Sequence, residues 1–343
     1  MRCRQHLWIG FVLWSQALAN DGAPFEALPF LQRSWNLSAQ EIAAIERGDP
    51  VGKLLRRNAD GEVAILGVIR LSRSKEEYLT WYRNVENYKL SPMVVEVGPI
   101  GNPPETEAAD RLQLEPDEVN TLRICQPAKC GAKLTGEEIE RLRAGVDWSA
   151  PDAAARANLL SRQMLLDYAG DYWRRGHEGL GKYRSEDTAV DLAATFRGML
   201  DASPFLRDSF PELFRELYDY RGAKPGAADE FVYWSRERYG FGLKPLVNLF
   251  HITIRKPQPA VVVIASKQIR SNHYFDGSLS LVLVADAPGG RSYLIFVNRS
   301  RVDLLRGGGF GGFKRKLFEW QLPREIKKQL LLIRKNVEGG PRG

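Results

Sequence analysis

Five strand-like runs follow one another between residues 231 and 297, and this succession constrains the fold more than anything else in the chain. Phe231 to Ser235, Leu246 to Arg255, Ala260 to Ile269, Tyr274 to Ala285 and Tyr293 to Val297 are rich in β-branched and aliphatic residues. They are separated by Pro257-Gln258-Pro259, Ser271-Asn272 and Pro288-Gly289-Gly290. Such short connections leave no space for crossover helices, so the runs predict an antiparallel meander. A glycine run, Gly307 to Gly312, then leads into an amphipathic helical stretch from Phe313 to Val337 with Pro323 inside it.

Upstream of the meander the pattern alternates. Leu37-Ser38-Ala39-Gln40-Glu41 opens a helix that closes near Gly48-Asp49-Pro50. Lys53 to Arg57 and Glu62 to Leu71 read as strands joined by the turn-forming Asn58-Ala59-Asp60-Gly61. Ser74 and Glu77 have the spacing of a capping box, ahead of Tyr78, Trp81, Tyr82 and Val85 at helical intervals. Met93 to Val97 predicts another strand, and strand-like segments near 111–125 lead to a cysteine loop. From Thr135 to Asp219 the period changes to that of helices, with Leu160, Met164, Tyr168 and Tyr172 stepping by four along one face.

The N-terminus combines Met1-Arg2-Cys3-Arg4, an apolar run from Leu7 to Trp14 and the small-x-small triplet Ala17-Leu18-Ala19, the layout of an export signal cut near Ala19. No stretch reaches the ~20 apolar residues of a membrane-crossing helix. The expected destination is the periplasm or the exterior, where cysteines oxidise. Beyond the signal only Cys125 and Cys130 remain, and the intervening Pro127 and the following Gly131 suit a turn that brings two sulfurs together. A disulfide is the leading reading, with a metal or redox pair and free thiols as alternatives. A zinc site would need two more ligands, with only His177, His251 and His273 beyond the signal besides carboxylates, so no metal and no cofactor are expected.

With 44% hydrophobic and 27% charged residues the chain falls in the globular range, which excludes a collagen-like fibre or a multi-span membrane protein. The formal net charge is +7, and eleven Lys/Arg against four Asp/Glu between Arg301 and Arg342 account for all of it. For an exported protein without an aromatic-flanked basic groove, an anionic membrane surface is the expected partner rather than nucleic acid. A solvated face of an ordinary amphipathic helix is the plain alternative.

The segment Ser74-Lys75-Glu76-Glu77-Tyr78-Leu79-Thr80-Trp81-Tyr82-Arg83-Asn84-Val85-Glu86-Asn87-Tyr88-Lys89-Leu90-Ser91-Pro92-Met93-Val94-Val95-Glu96-Val97 resembles the opening of the START-like (polyketide-cyclase-like) superfamily. The resemblance covers 61–99 and, by element order, 229–338. It implies the helix-grip fold: an α+β chain whose curved antiparallel sheet grips a long C-terminal helix, here with a large helical insertion. It also implies an apolar cavity between sheet and helix that takes lipids or other hydrophobic molecules. The expected division is a signal over 1–19, a helical lead-in over 20–50, the first part of the helix-grip domain over 51–134, a helical insertion over 135–225 and the second part, with the basic helix, over 226–340.

Chemistry-bearing residues are sparse. Gly307-x-Gly309-x-x-Gly312 matches a dinucleotide fingerprint in form only, since no second strand ending in an acid follows; a hinge at the cavity mouth or a plain loop fits better. His251 alternates with Leu249 and Thr253, opposite Phe250 and Ile252. With Lys267, Tyr274, Arg299 and Phe310 it forms the expected ligand-binding set, the polar members holding a head group. His251 or His273 would serve as general base in a hydrolase- or cyclase-type enzyme using the same cavity. The leading expectation is an exported carrier of a hydrophobic small molecule; a partner-docking protein without a ligand is a third reading.

Overall fold

The structure is a computed structural model that describes residues 25–88, 93–101, 104–127, 129–185, 188–222, 229–239, 242–307 and 310–339; the export-signal segment lies outside them. The first helices are α1 (Ala27–Trp35) and α2 (Ala39–Arg47). Ser38 caps α2 by accepting the Glu41 N–H while the Glu41 carboxylate accepts the Ser38 N–H, which satisfies two otherwise orphaned donors. Next come β1 (Val51–Leu54) and β2 (Glu62–Leu71), then α3 (Lys75–Arg83) with the same reciprocal cap from Ser74 and Glu77, a short α4 (Val85–Tyr88) and β3 (Val94–Ile100).

Between 111 and 125 the structure departs from expectation. The strand-like segment is α5 (Pro116–Arg123). Pro116 stands at the first helical turn with Asp117 and Glu118 behind it, and Glu118 accepts the Glu115 N–H at 2.7 Å. These local start signals outweigh the short alternation of Leu112 and Leu114. The helical stretch continues as α6 (Gly136–Gly145) and α7 (Ala153–Arg175). A small hairpin of β4 (Lys182–Ser185) and β5 (Thr188–Asp191) precedes α8 (Leu192–Asp201), α9 (Pro204–Ser209) and α10 (Pro211–Tyr218).

The meander follows as β6 (Glu230–Glu237), β7 (Leu246–Gln258), β8 (Val261–Ser271), β9 (Phe275–Ala287) and β10 (Arg291–Val302), and α11 (Phe310–Glu338) closes the described chain. The protein is thus α+β, with a curved eight-stranded antiparallel sheet in the order β1-β2-β10-β9-β8-β7-β6-β3. The early hairpin joins the late meander because β2 pairs along β10, from Leu71 opposite Ser292 to Glu62 opposite Arg301.

Both sheet faces are covered, which explains the near-continuous apolar strands: Val261 to Ala265 are all at most 1% exposed. One face, bearing Val68, Trp234, Leu249, Val263 and Leu281, packs on Phe30, Phe196, Leu206 and Leu217 of the helices. The other, bearing Ile69, Tyr233, Ile264 and Leu294, packs on Tyr78 and Tyr82 of α3 and on Leu330 and Val337 of α11. Two glycines set the approach of α11. A Cβ on Gly52 would lie 2.6 Å from the Pro323 carbonyl oxygen, and one on Gly67 would lie 2.7 Å from Ile326. Helix and sheet therefore touch directly, and the cavity implied between them finds no room along β1 and β2. Gly52→Ala should lower stability by about 1 to 3 kcal/mol through overpacking. An unchanged urea midpoint would show that α11 is not seated on β1.

Candidate functional site

The meander brings two of the expected residues together. Val232, His251 and Lys267 stand opposite one another on β6, β7 and β8, on the face covered by helices. His251 and Lys267 are both 0% exposed. His251 Nδ1 lies 2.8 Å from the Tyr172 hydroxyl, while its Nε2 is 3.7 Å from the Glu230 carboxylate, too long for a hydrogen bond. Glu230 and Glu216 share the Arg255 guanidinium. Lys267 Nζ has no hydrogen-bond partner and sits 4.1 Å from the centre of the Tyr220 ring.

Burial dominates the electrostatics of this layer. It pushes His251 down to about 4 despite the nearby Glu230, and His177 down to about 3. Lys267 falls to about 7 for the same reason, with Glu230 and Glu216 opposing the shift. At neutral pH both imidazoles are uncharged, and the Tyr172 and Tyr220 rings lie against His251. Such a layer orders the packing of helices on the sheet but offers dissolved molecules no approach. The unfolded lysine keeps a proton up to about pH 10.5 that the folded one releases near 7, so stability rises with pH across this window, by up to about 1.4 kcal/mol per pH unit. Lys267→Met should flatten that rise between pH 7 and 10 in urea melts.

The remaining expected residues lie apart. Four acceptors take the buried Arg299 guanidinium: Glu62 at 2.6 Å, the Ala202 carbonyl at 2.5 Å, the Arg56 carbonyl at 3.2 Å and Ser203 at 3.3 Å. This ties β10 to the α8–α9 corner. Tyr274 occupies the left-handed region at φ 55°, and its hydroxyl accepts the Lys244 N–H at 2.9 Å. Phe310 begins α11, but its side chain lies outside the described residues. Cys125 and Cys130 are joined, with their Cα atoms 4.4 Å apart. Opening so short a loop should cost about 2 kcal/mol, measurable as a lower denaturation midpoint in reductant or in Cys125→Ser/Cys130→Ser.

That loop links two walls of a cleft. Together, α5, residues 132–134, α7 and the adjoining ends of β7 and β8 surround about 630 Å³, counting the part open to solvent. Leu112, Leu122, Leu134, Met164, Leu165 and Val247 make the lining mostly aliphatic, and Glu118, Ser161, Asn272 and His273 add polar groups. Burial lowers His273 to about 4, so its ring is neutral at pH 7. Glu118 is only 7% exposed. Its Oε2 is held by the Glu115 N–H and the Arg236 guanidinium, whereas Oε1 is buried without a partner, as is Ser161 Oγ. Burial raises the Glu118 pKa against the pull of Arg236.

Glu118 was missed because its segment reads as strand-like, whereas it stands in the first turn of α5 and closes its cap. Only its pairing with Arg236, 118 positions away, turns it inward. The other exposed chemistry lies on α11. Ile326 and Leu330 face the sheet, while Leu317, Phe318 and Trp320 are 50%, 45% and 60% exposed. Arg324 lies 4.1 Å above the Trp320 ring, and Lys316, Lys327 and Lys328 share this basic helix. Among the described residues no helix is long and apolar enough to cross a membrane, and no group of three His, Cys, Asp or Glu is placed to hold a metal ion.

No protein-family model and no curated protein matches the sequence. Among solved structures, the crystal structure of human STARD10 aligns with 89% of this chain and 81% of its own, at 9% identity and a TM-score of 0.34. A superposition this loose transfers neither residues nor a ligand.

Proposed function

We propose that this is an exported protein that docks on anionic membrane surfaces and binds or carries a lipid or other hydrophobic small molecule. The observation that carries the reading is α11, whose Leu317, Phe318 and Trp320 stand exposed on the segment that holds the chain's whole excess of positive charge. Apolar and aromatic side chains beside lysines and arginines suit the boundary between headgroups and acyl chains. Each basic residue near an anionic surface contributes about 1 kcal/mol, screened within a Debye length. The direct seating of Ile326 and Leu330 on the sheet presents the other side of the helix outward. A hydrolase- or cyclase-type enzyme is the second reading, favoured by His273 alone, a neutral imidazole lining the cleft. Its depressed pKa makes it a weak base.

The exported chain should begin at Asn20, as N-terminal sequencing would read. It should co-sediment with phosphatidylserine-containing vesicles, far less with phosphatidylcholine alone, and lose binding as salt rises. The triple variant Leu317→Ser, Phe318→Ser, Trp320→Ser should weaken that binding at least tenfold with folding unchanged, because none of the three contributes to the core. Equal binding to both vesicle types would refute membrane docking by this helix.

A further inference from the structure

We infer that the cleft between α5, α7 and the ends of β7 and β8 is a binding site for an uncharged aliphatic molecule that ends in a hydroxyl group, with that hydroxyl on Glu118 Oε1. The inference deepens the hydrophobic-ligand reading above and rests on it for the apolar character of the ligand, but not on membrane docking. A buried carboxylate oxygen without a partner is costly, and native proteins pair such atoms with protein, water or ligand. Glu118 Oε2 is already engaged by Arg236 and the Glu115 N–H, so Oε1 is the atom left to receive a partner, on a residue that lines the cleft.

The surroundings select the head group. The Glu118 carboxylate repels an anion, while Arg236 beside it and Arg270 in the lining repel a cation. A neutral end is what remains. A hydroxyl donates to an ionised carboxylate and accepts from a protonated one, so it serves Glu118 in either state. Ser161 Oγ, also unpartnered, lines the same cleft and extends the polar end. Apart from Thr121, Arg270, Asn272 and His273, the rest of the lining is apolar, with Leu122, Leu134 and Val247 as walls and Met164 as an adaptable filler. The Cys125–Cys130 bridge joins the wall bearing Leu122 to the wall bearing Leu134, which holds the cleft open before a ligand arrives.

The test uses the exported chain labelled with ¹³C at its methionine methyl groups and titrated at pH 7.5 with 1-decanol and, separately, with decanoate. Met164 reports on the cleft, and Met93 and Met199 report on other regions. The expected result is a saturable shift of the Met164 methyl with decanol and at least tenfold weaker binding of decanoate. Ser161→Leu, which fills the cleft, should abolish the shift while vesicle co-sedimentation stays intact. An unmoved Met164 with water alone satisfying Glu118, or decanoate binding as well as decanol, would overturn the inference with no variant needed. So would an unaltered response in a folded Ser161→Leu. Decanol shifts at Met93 or Met199 instead would keep hydrophobic binding and overturn this site. Loss of vesicle binding with the Met164 shift preserved would overturn only membrane docking.

Discussion

The pairing of β2 with β10 is the contact on which the rest of the molecule depends. It joins a hairpin near the start of the chain to the last strand of the meander, from Leu71 opposite Ser292 to Glu62 opposite Arg301. Without it β1 and β2 would be an isolated ribbon, which is marginal in water. Joined to the meander, they extend the sheet and provide the surface on which Ile326 and Leu330 seat α11. At the far end of the same ladder Glu62 holds Arg299, which reaches the α8–α9 corner, so one strand pair anchors helices on both faces.

Covering both faces separates two kinds of buried polarity. The layer around His251 and Lys267 is sealed by Tyr172 and Tyr220, and its charges are suppressed by burial or shared through Arg255. Glu118 is buried to a similar degree but stands at the wall of an opening. The difference lies in the covering: Tyr172 and Trp173 of α7 close over His251, whereas at the ends of β7 and β8 the irregular segment around 132–134 and the short α5 leave a gap. An unsatisfied atom in a sealed core is a cost borne by the fold, while one at an opening is a cost that a ligand can offset.

Much of the secondary structure was legible because its signals are local. The Ser38/Glu41 and Ser74/Glu77 caps, the Asn58 to Gly61 turn and the five meander runs all appear where short-range patterning places them. The misread segment near 111–125 is equally instructive: the Glu115-Pro116-Asp117-Glu118 start signal was present, and a weak alternation obscured it. Among site residues, alternation put His251 on one face with Leu249 and Thr253, and it is the pairing of β7 with β8 that sets Lys267 beside it. Alternation could not report that helices cover that face as fully as the other is covered, because both faces of these strands are apolar.

By itself the sequence determined most of the elements, the nearness of the two cysteines and the concentration of charge on the last helix, since each depends on residues within a few positions of one another. Only the tertiary structure decided that α11 lies in contact with the sheet, that Lys267 is sealed and that Glu118 keeps one oxygen unpartnered beside an opening. Those outcomes depend on groups far apart in the chain, Gly52 against Pro323 and Glu118 against Arg236, whose meeting is set by how the sheet is assembled.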